Sequence, residues 1–369
     1  MSLVFTIFFL LLICYSLIFL WLASGYLRTP FFIAKEKNLQ LPLTLIICAR
    51  NEEKNIGLCL SSLLKQNYVL NKVQLILIND ASSDATVSRA EHLLKTSGLN
   101  YKIISNAHQK GKKHSITYAM QFATNELIVL RDADTFTLSP KWLQSISDFY
   151  QNTRADFIIA PVAIANSSGL FWALQAIENN VLALAACGSA FYKQPFLCNG
   201  ANLIFTKNIF EKTEGYSSHS DIASGDDIFF LEDVKKINGS KISYLKSKEA
   251  LVYTYPTFSF KDLILQRTRW ASKFKLNKNK LNLVLSFFSF AVNLTWLFCF
   301  TCMNLPVYRE LCLLFIFLKL FIDILLLFLA SGFIKNKNVL WFSLPVGFIY
   351  PVYAGIIGIA SLFVKPRWK

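Results

Sequence analysis

The apolar positions of this chain fall into two kinds of pattern, long unbroken runs at its ends and short alternating ones between. Leu3 to Ala23 holds 21 uncharged residues, and as a helix they would reach about 31 Å, the thickness of a bilayer core. The C-terminal end divides into apolar segments near Leu281–Met303, Leu311–Ala330 and Val339–Val364. Pro345 and Pro351 predict a kink or a re-entrant turn in the last one. In the middle, Leu41–Ala49 has the length and β-former content of a strand and stops at Arg50-Asn-Glu-Glu53. Ile56, Leu60, Leu63 and Leu64 then fall on one helical face. Val73–Ile78 reads as a second strand ending at Asn79-Asp80, and Ser82–Thr86 offers caps for a helix that Gly98 closes. Tyr101–Ser105 is a third strand, a helix follows from Lys112, and Glu126–Leu130 is a fourth strand. Strands alternating with helices predict an α/β domain with a mainly parallel sheet covered on both faces. Beyond it, Asp156–Ala160 reads as a strand, Gly169–Ala186 as a helix and Cys198-Asn-Gly-Ala-Asn202 as a glycine-bearing turn. Asp226-Asp227 opens another helix.

A hydrophobic content of 54% and a mean hydropathy of +0.40 exclude an ordinary soluble enzyme. Arg28, Lys35 and Lys37 follow the first span, so the positive-inside bias predicts an outside N-terminus, a multi-pass membrane protein and a cytoplasmic middle domain, at the inner or plasma membrane in a bacterium. A cleaved signal peptide is the competing reading, since Leu22-Ala-Ser-Gly25 is small-residue rich, but Met1-Ser2 lacks a basic side chain and the apolar core is too long. The net charge of +15 arises from 38 basic and 23 acidic residues. Seven of the basic ones lie between Lys261 and Lys280, directly before the C-terminal apolar block. That placement suits anionic lipid headgroups and argues against nucleic acid as a partner. The eight cysteines are split between spans and a reducing compartment and form no disulfide framework, and Cys299-x-x-Cys302 has no second ligand pair. Lys319 and Asp323 lie four apart in an apolar span, to pair with each other or to line an acceptor path. The basic tail Lys365–Lys369 falls outside by simple counting and inside if the third segment is re-entrant.

The chemistry concentrates where the fourth strand ends, in Arg131-Asp132-Ala-Asp134. Along an extended chain residues i and i+2 share a side, so Asp132 and Asp134 could face one hard divalent cation, Mg²⁺ or Mn²⁺, together with substrate phosphates. An ordinary Asp turn is the alternative. Glu52, Asp80 and Lys112 fall on the same side of the predicted sheet, beyond the carboxyl ends of its strands, where α/β sheets bind ligands. Such a cleft, acidic with a few cations, suits a nucleotide diphosphate and its metal. Asp226-Asp227 is either a helix cap or a second acidic site. Gln266-Arg-Thr-Arg269-Trp270 sets a guanidinium beside an aromatic face on an interfacial helix, or simply anchors that helix.

Taken together, Cys48-Ala-Arg-Asn-Glu52, Asn79-Asp80 with Ser83-Asp84, Gly111-Lys112, Asp132-Ala-Asp134, Asn199-Gly-Ala-Asn202, Gly225-Asp-Asp227 and Gln266-x-x-Arg-Trp270 resemble the membrane-bound family-two glycosyltransferases. The resemblance covers about residues 41 to 272. It implies a GT-A fold over 41–257, an anchor over 1–25, an interfacial segment over 258–280 and a membrane region of about three segments over 281–364. It also implies that Glu52, Asp80, Lys112, Asp132, Gln266 and Arg269 hold a nucleotide-sugar donor. Asp134 with Asp132 would bind Mn²⁺ or Mg²⁺, Asp227 would be the general base of an inverting transfer, and Trp270, Asn199 and Gly200 would meet the acceptor. Asp226 stands where members often have Glu, and Asn79 where they often have Asp; both departures keep the neighbouring carboxylate. UDP as the nucleotide is an expectation from the family alone. Two enzyme readings follow: transfer to a lipid or lipid-linked glycan, or processive polysaccharide synthesis, with room for a partner subunit. A catalytically silent, nucleotide-binding membrane scaffold is the third reading.

Overall fold

The structure is a computed structural model that describes residues 3–35, 39–108, 110–216, 226–276, 279–334 and 337–363. In chain order it runs α1 (Leu3–Arg28), β1 (Leu43–Ala49), α2 (Ile56–Leu64), β2 (Val73–Asn79), α3 (Thr86–Leu94), β3 (Asn100–Ser105), α4 (Lys112–Met120) and β4 (Leu127–Asp132). Next come β5 (Thr135–Thr137), α5 (Trp142–Thr153), β6 (Phe157–Ile159), β7 (Val162–Ile164), α6 (Leu170–Phe191), β8 (Asn202–Thr206), α7 (Lys207–Lys212) and α8 (Asp226–Lys236). The chain ends with β9 (Ile242–Tyr244), β10 (Val252–Thr254), α9 (Phe260–Leu276), α10 (Lys280–Cys302), α11 (Arg309–Ile334) and α12 (Ser343–Phe363). Pro351 lies within α12 without ending it.

The main sheet has the order β3-β2-β1-β4-β8-β6-β9, with β5-β10-β7 as a second sheet. β3, β2, β1 and β4 are mutually parallel, and β8 enters antiparallel between β4 and β6. The order reverses between β1 and β4, so the crevice of this doubly wound half opens where Ala49 and Asp132 end their strands. The alternation of the central strands explains the layers. Leu43, Leu45, Ile47, Leu75, Leu77 and Val129 belong to one buried cluster, whereas Ile46, Ile76, Ile78, Ile128 and Leu130 belong to another. Each such side chain contributes about 1.5–3 kcal/mol by leaving water. The second cluster is continuous with the long apolar helices.

Among the described residues five helices are long and apolar enough to cross a membrane: α1, α6, α10, α11 and a segment ending in α12. α6 is placed differently from the rest. Along its length Trp172 meets Phe342, Asn180 bonds Ser331, Gly188 abuts Leu22, and Tyr192 bonds Ser24 and stacks on Trp21. These partners on α1 and α11 lie near the C-terminal ends of those helices, and along α1 the pairing runs antiparallel, Tyr192 meeting Trp21 and Ser24 and Gly188 meeting Leu22 and Gly25. The opposite side of α6 bonds the α/β domain, through Asn179 to the Val162 carbonyl and Gln175 to Thr257. A helix covered on both sides is apolar nearly all round, which is why its composition mimics a span.

Deeper among the helices, Lys319 and Asp323 pair at 2.6 Å, and Tyr15 of α1 donates to the same carboxylate at 2.8 Å. The two charges thus neutralise one another and tie α1 to α11. At the domain end of α1, the buried Lys246 ammonium donates to the carbonyls of Tyr26 at 2.6 Å and Thr29 at 3.0 Å and lies 4.0 Å from the Tyr26 ring centroid. These are carbonyls the helix cannot satisfy internally. Lys246→Met keeps the stem and loses both charge-assisted bonds. It is expected to destabilise the purified protein by about 2–3 kcal/mol, read as a lower thermal midpoint in detergent, while Lys248→Met on the neighbouring surface leaves it unchanged.

Candidate active site

The floor of the crevice is built by two interlocking loops. After β1, Asn51 adopts a left-handed conformation with φ of 55°. Its amide donates to Ser82 at 3.0 Å and its side chain accepts from the Ser83 amide at 2.9 Å. The Glu52 amide bonds Thr86 at 2.8 Å and the Glu53 amide bonds Asp84 at 3.0 Å. Asp84 also accepts from the Thr86 amide and hydroxyl; desolvation pushes its carboxyl up, but these bonds and the one from the Glu53 amide together outweigh it and hold the carboxyl below the usual range. Glu52 is thereby fixed at the mouth of β1, with its carboxylate accepting from Asn55 at 2.7 Å.

Asp80, one residue beyond β2, is buried and accepts from Asn106 at 2.9 Å and from the amides of Lys110 at 2.8 Å and Gly111 at 2.9 Å. It folds the loop that starts α4. Gly111 sits at φ 85°, a conformation that favours glycine, and delivers Lys112 to an ion pair with Asp132.

The sequence places Asp132 and Asp134 on one strand, but β4 ends at Asp132 and Asp134 stands in the turn before β5. Asp132 still bears on its neighbour. The Asp134 carboxyl is pushed up to about 7, first by the protein packed around the cleft, then by Asp132 and Glu52, with Lys112 opposing. Behind the turn lies Arg131, which strand alternation sends to the other face. Buried among neutral acceptors, it donates to Ser62 at 2.6 Å and to the Thr135 carbonyl at 2.9 Å, with its guanidinium 5.0 Å from the Trp142 ring centroid. Burial lowers its pKa. It fixes the turn that presents Asp134, and a lone Arg inside an apolar strand was the available signal for it.

The second half of the domain supplies the opposite wall. The Asn199 side chain accepts from the Ala201 amide at 3.0 Å and shapes the turn into β8. Asp227, in the first turn of α8, accepts from the Gly200 amide at 3.0 Å. A Cβ added at Gly200 would lie 3.2 Å from Lys112 Nζ and 3.6 Å from Asp227 Cβ. Asp132, Lys112, Gly200 and Asp227 are therefore contiguous. Gly225 lies outside the described residues. The same wall meets the helical bundle: Asn279 bonds Glu232 of α8 at 2.7 Å, and Asn282 of α10 bonds the Phe196 carbonyl at 3.3 Å.

α9 carries Gln266, Arg269 and Trp270. Gln266 accepts a hydrogen bond from Arg267, and the Arg267 guanidinium lies 4.2 Å from the Trp270 ring centroid. Trp270 is thus braced by Arg267, a residue the sequence reading passed over.

Among the described residues no three His, Cys, Asp or Glu side chains could form a metal cage alone. The donor set fits a cation shared with a substrate: hard carboxylate oxygens carry a surplus of negative charge at Asp134, against which Lys112 is a partial counterweight.

Residues 44–213 match the family model described as Glycosyl transferase family 2. The chain is 23% identical over 273 residues to a poly-beta-1,6-N-acetyl-D-glucosamine synthase of Staphylococcus epidermidis, across 70% of this chain and 63% of that one. It is 33% identical over 111 residues to a 4,4'-diaponeurosporenoate glycosyltransferase of Staphylococcus aureus, across 30% of this chain and 28% of that one. The chain thus spans less than two thirds of the length of these curated relatives. Among solved structures it is similar to the mannosyltransferase PcManGT from Pyrobaculum calidifontis in complex with GDP-Man and Mn²⁺, with a TM-score of 0.62, 16% identity and coverage of 99% of both chains. That likeness establishes the GT-A fold.

Proposed function

With residues 44–213 forming a family 2 glycosyl transferase domain on a GT-A fold, we propose that the protein transfers a sugar, with inversion, from a nucleotide-diphosphate sugar to a lipid or lipid-linked acceptor at the membrane face. The observation that carries this reading is the contiguity of Asp132, Lys112, Gly200 and Asp227 on a wall bonded directly to α10.

In this reading Glu52, and Asp80 through the loop it folds, border the nucleotide. Lys112 exchanges its bond to Asp132 for the donor diphosphate, as a cation can in a crevice of this kind. Asp132 and Asp134 would hold Mn²⁺ or Mg²⁺, which when bound supplies positive charge to the leaving diphosphate. Gln266 and Arg269 of α9 would add their polar groups to that diphosphate site, as the resemblance implies. Asp227 takes the proton of the acceptor hydroxyl as it attacks the anomeric carbon on the face away from the nucleotide, and a single displacement inverts that carbon. Gly200 leaves room for the acceptor against Asp227, its amide orienting the carboxylate, with Asn199 shaping that turn. Trp270 offers its ring to the acceptor.

The relative that makes poly-beta-1,6-N-acetyl-D-glucosamine favours a second reading, processive synthesis. A domain facing the cytoplasm follows from the basic residues after α1. The test is nucleotide release by detergent-purified full-length protein across UDP- and GDP-sugars. One donor is expected to turn over with Mn²⁺ or Mg²⁺, and EDTA is expected to lower the rate at least about 100-fold, with recovery on adding metal back. Product length then separates single transfer from polymer. Nucleotide release unaffected by EDTA would remove the metal from the scheme, and silence with every donor would favour the scaffold.

A further inference from the structure

In α6 an otherwise apolar helix is interrupted by Glu178-Asn179-Asn180. Successive helical positions point about 100° apart, and these three reach three different bodies. Asn180 bonds Ser331 of α11 and Asn179 bonds the Val162 carbonyl beside the sheet. Glu178 accepts from Arg267 Nε of α9 at 2.5 Å, with Arg267 5% exposed. One turn earlier, on the same face of α6, Gln175 accepts from the Thr257 amide at 2.9 Å and hydroxyl at 3.0 Å and donates to its carbonyl at 3.1 Å. Two polar rungs therefore dock the α9 segment on α6, one at its start and one in its middle. The second ends in the guanidinium that lies against Trp270.

We propose that Glu178 and Arg267 are positioning residues for Trp270, so that α6 sets how the aromatic face is offered to the acceptor. This rests on the reading that Trp270 meets the acceptor. The physical reason lies in the number of free torsions. Trp270 sits on a helix surface, where its ring could take several rotamers. A guanidinium held by a carboxylate from a second helix favours the one that stacks. Removing the Glu178 charge leaves Arg267 with only its bond to Gln266 to hold it, so acceptor use falls, while the strand-end loops that carry Glu52, Asp80 and Asp132 are untouched and donor binding changes far less.

The experiment uses full-length protein carrying 5-fluorotryptophan, with the Trp270 resonance assigned by its loss in Trp270→Phe. In Glu178→Gln and Arg267→Lys the Trp270 line is expected to shift or broaden while the other six tryptophan lines stay in place. Release of nucleotide to water, without acceptor, is expected to remain within about twofold of the unmodified protein, and transfer to dioleoylglycerol in phosphatidylcholine vesicles or to cellotetraose is expected to fall about tenfold. In a Trp270→Ala background Glu178→Gln should then have no further effect on transfer. An unmoved Trp270 line in both variants overturns the proposal, as does an equal loss of transfer in the Trp270→Ala background. If the unmodified protein uses neither acceptor probe, the resonance alone decides. Absence of nucleotide release by the unmodified protein with every donor would instead overturn the transferase reading beneath it.

Discussion

Asp227→Asn is expected to abolish measurable sugar transfer, with a loss of about 10²–10⁴-fold in turnover, the range over which a positioned general base contributes. The argument is chemical and local. Asn is nearly isosteric with Asp, but the two carboxylate oxygens accept the Gly200 amide at 3.0 Å and the Ile228 amide at 2.9 Å, so the single Asn oxygen keeps one of these bonds and the loss of the other costs about 1–3 kcal/mol. The Asn amide nitrogen cannot take a proton from an attacking hydroxyl. Donor binding rests on residues other than Asp227, on the loops after β1, β2 and β4 and on α4 and α9, and is expected to change less than about threefold. Nucleotide-sugar affinity by calorimetry together with turnover checks both halves. An Asp227→Asn protein that turns over within tenfold of the unmodified one would move the base elsewhere.

The second large effect is structural. A Cβ at Gly188 would stand 1.9 Å from the Leu22 carbonyl oxygen, and one at Gly25 would stand 2.5 Å from the Gly188 carbonyl oxygen. The obstacle in each case is backbone, which cannot swing aside as a side-chain tip can. Gly188→Ala must part α1 from α6, and the usual cost of such overpacking is about 1–3 kcal/mol or more. The loss should appear as a lower thermal midpoint and faster proteolysis between residues 28 and 43. Gly25→Ala strains the same crossing, so the double variant is expected to cost less than the sum of the two. Gly332 on α11 supplies the control, since an added Cβ there meets nothing within 4 Å. Gly332→Ala should be neutral or stabilising by up to about 1 kcal/mol. Equal effects at Gly188 and Gly332 would show that the helices do not cross so closely.

The parallel half of the domain was legible because β1 to β4 are six or seven residues long and carry a readable apolar run, each closed by polar residues that the crevice uses. β5, β6, β7, β9 and β10 are three residues each, too short for a period to emerge, so of these only β6 was anticipated. β8 hides in Asn202-Leu-Ile-Phe-Thr206 behind a turn signal. Glu52, Asp80, Lys112 and Asp132, near strand ends, and Asp227, at a helix start, each have an ordinary turn or cap as the local alternative, and it was their combination, matched to a family pattern, that singled them out. Arg131, Glu178, Arg267 and Lys246 did not stand out. Each is a charge whose partner lies on another element, as Lys246 meets Tyr26 across 220 residues, and local pattern holds no information about such a partner. The position of α6 was hidden for a related reason, since a helix covered by a domain on one side and by helices on the other has no polar face to reveal it.

The Gly25–Gly188 crossing also fixes an order of events during synthesis. α1 is made ahead of α6, and the surface it packs against is encoded some 160 residues later. At about 5–20 residues per second, α1 is complete roughly 10–30 s before that surface exists. Through that interval the close-packing surface at Gly25 and the Tyr26 and Thr29 carbonyls lack the partners that they hold in the folded chain. Docking of α6 and arrival of Lys246 then close the assembly from the middle of the chain outward.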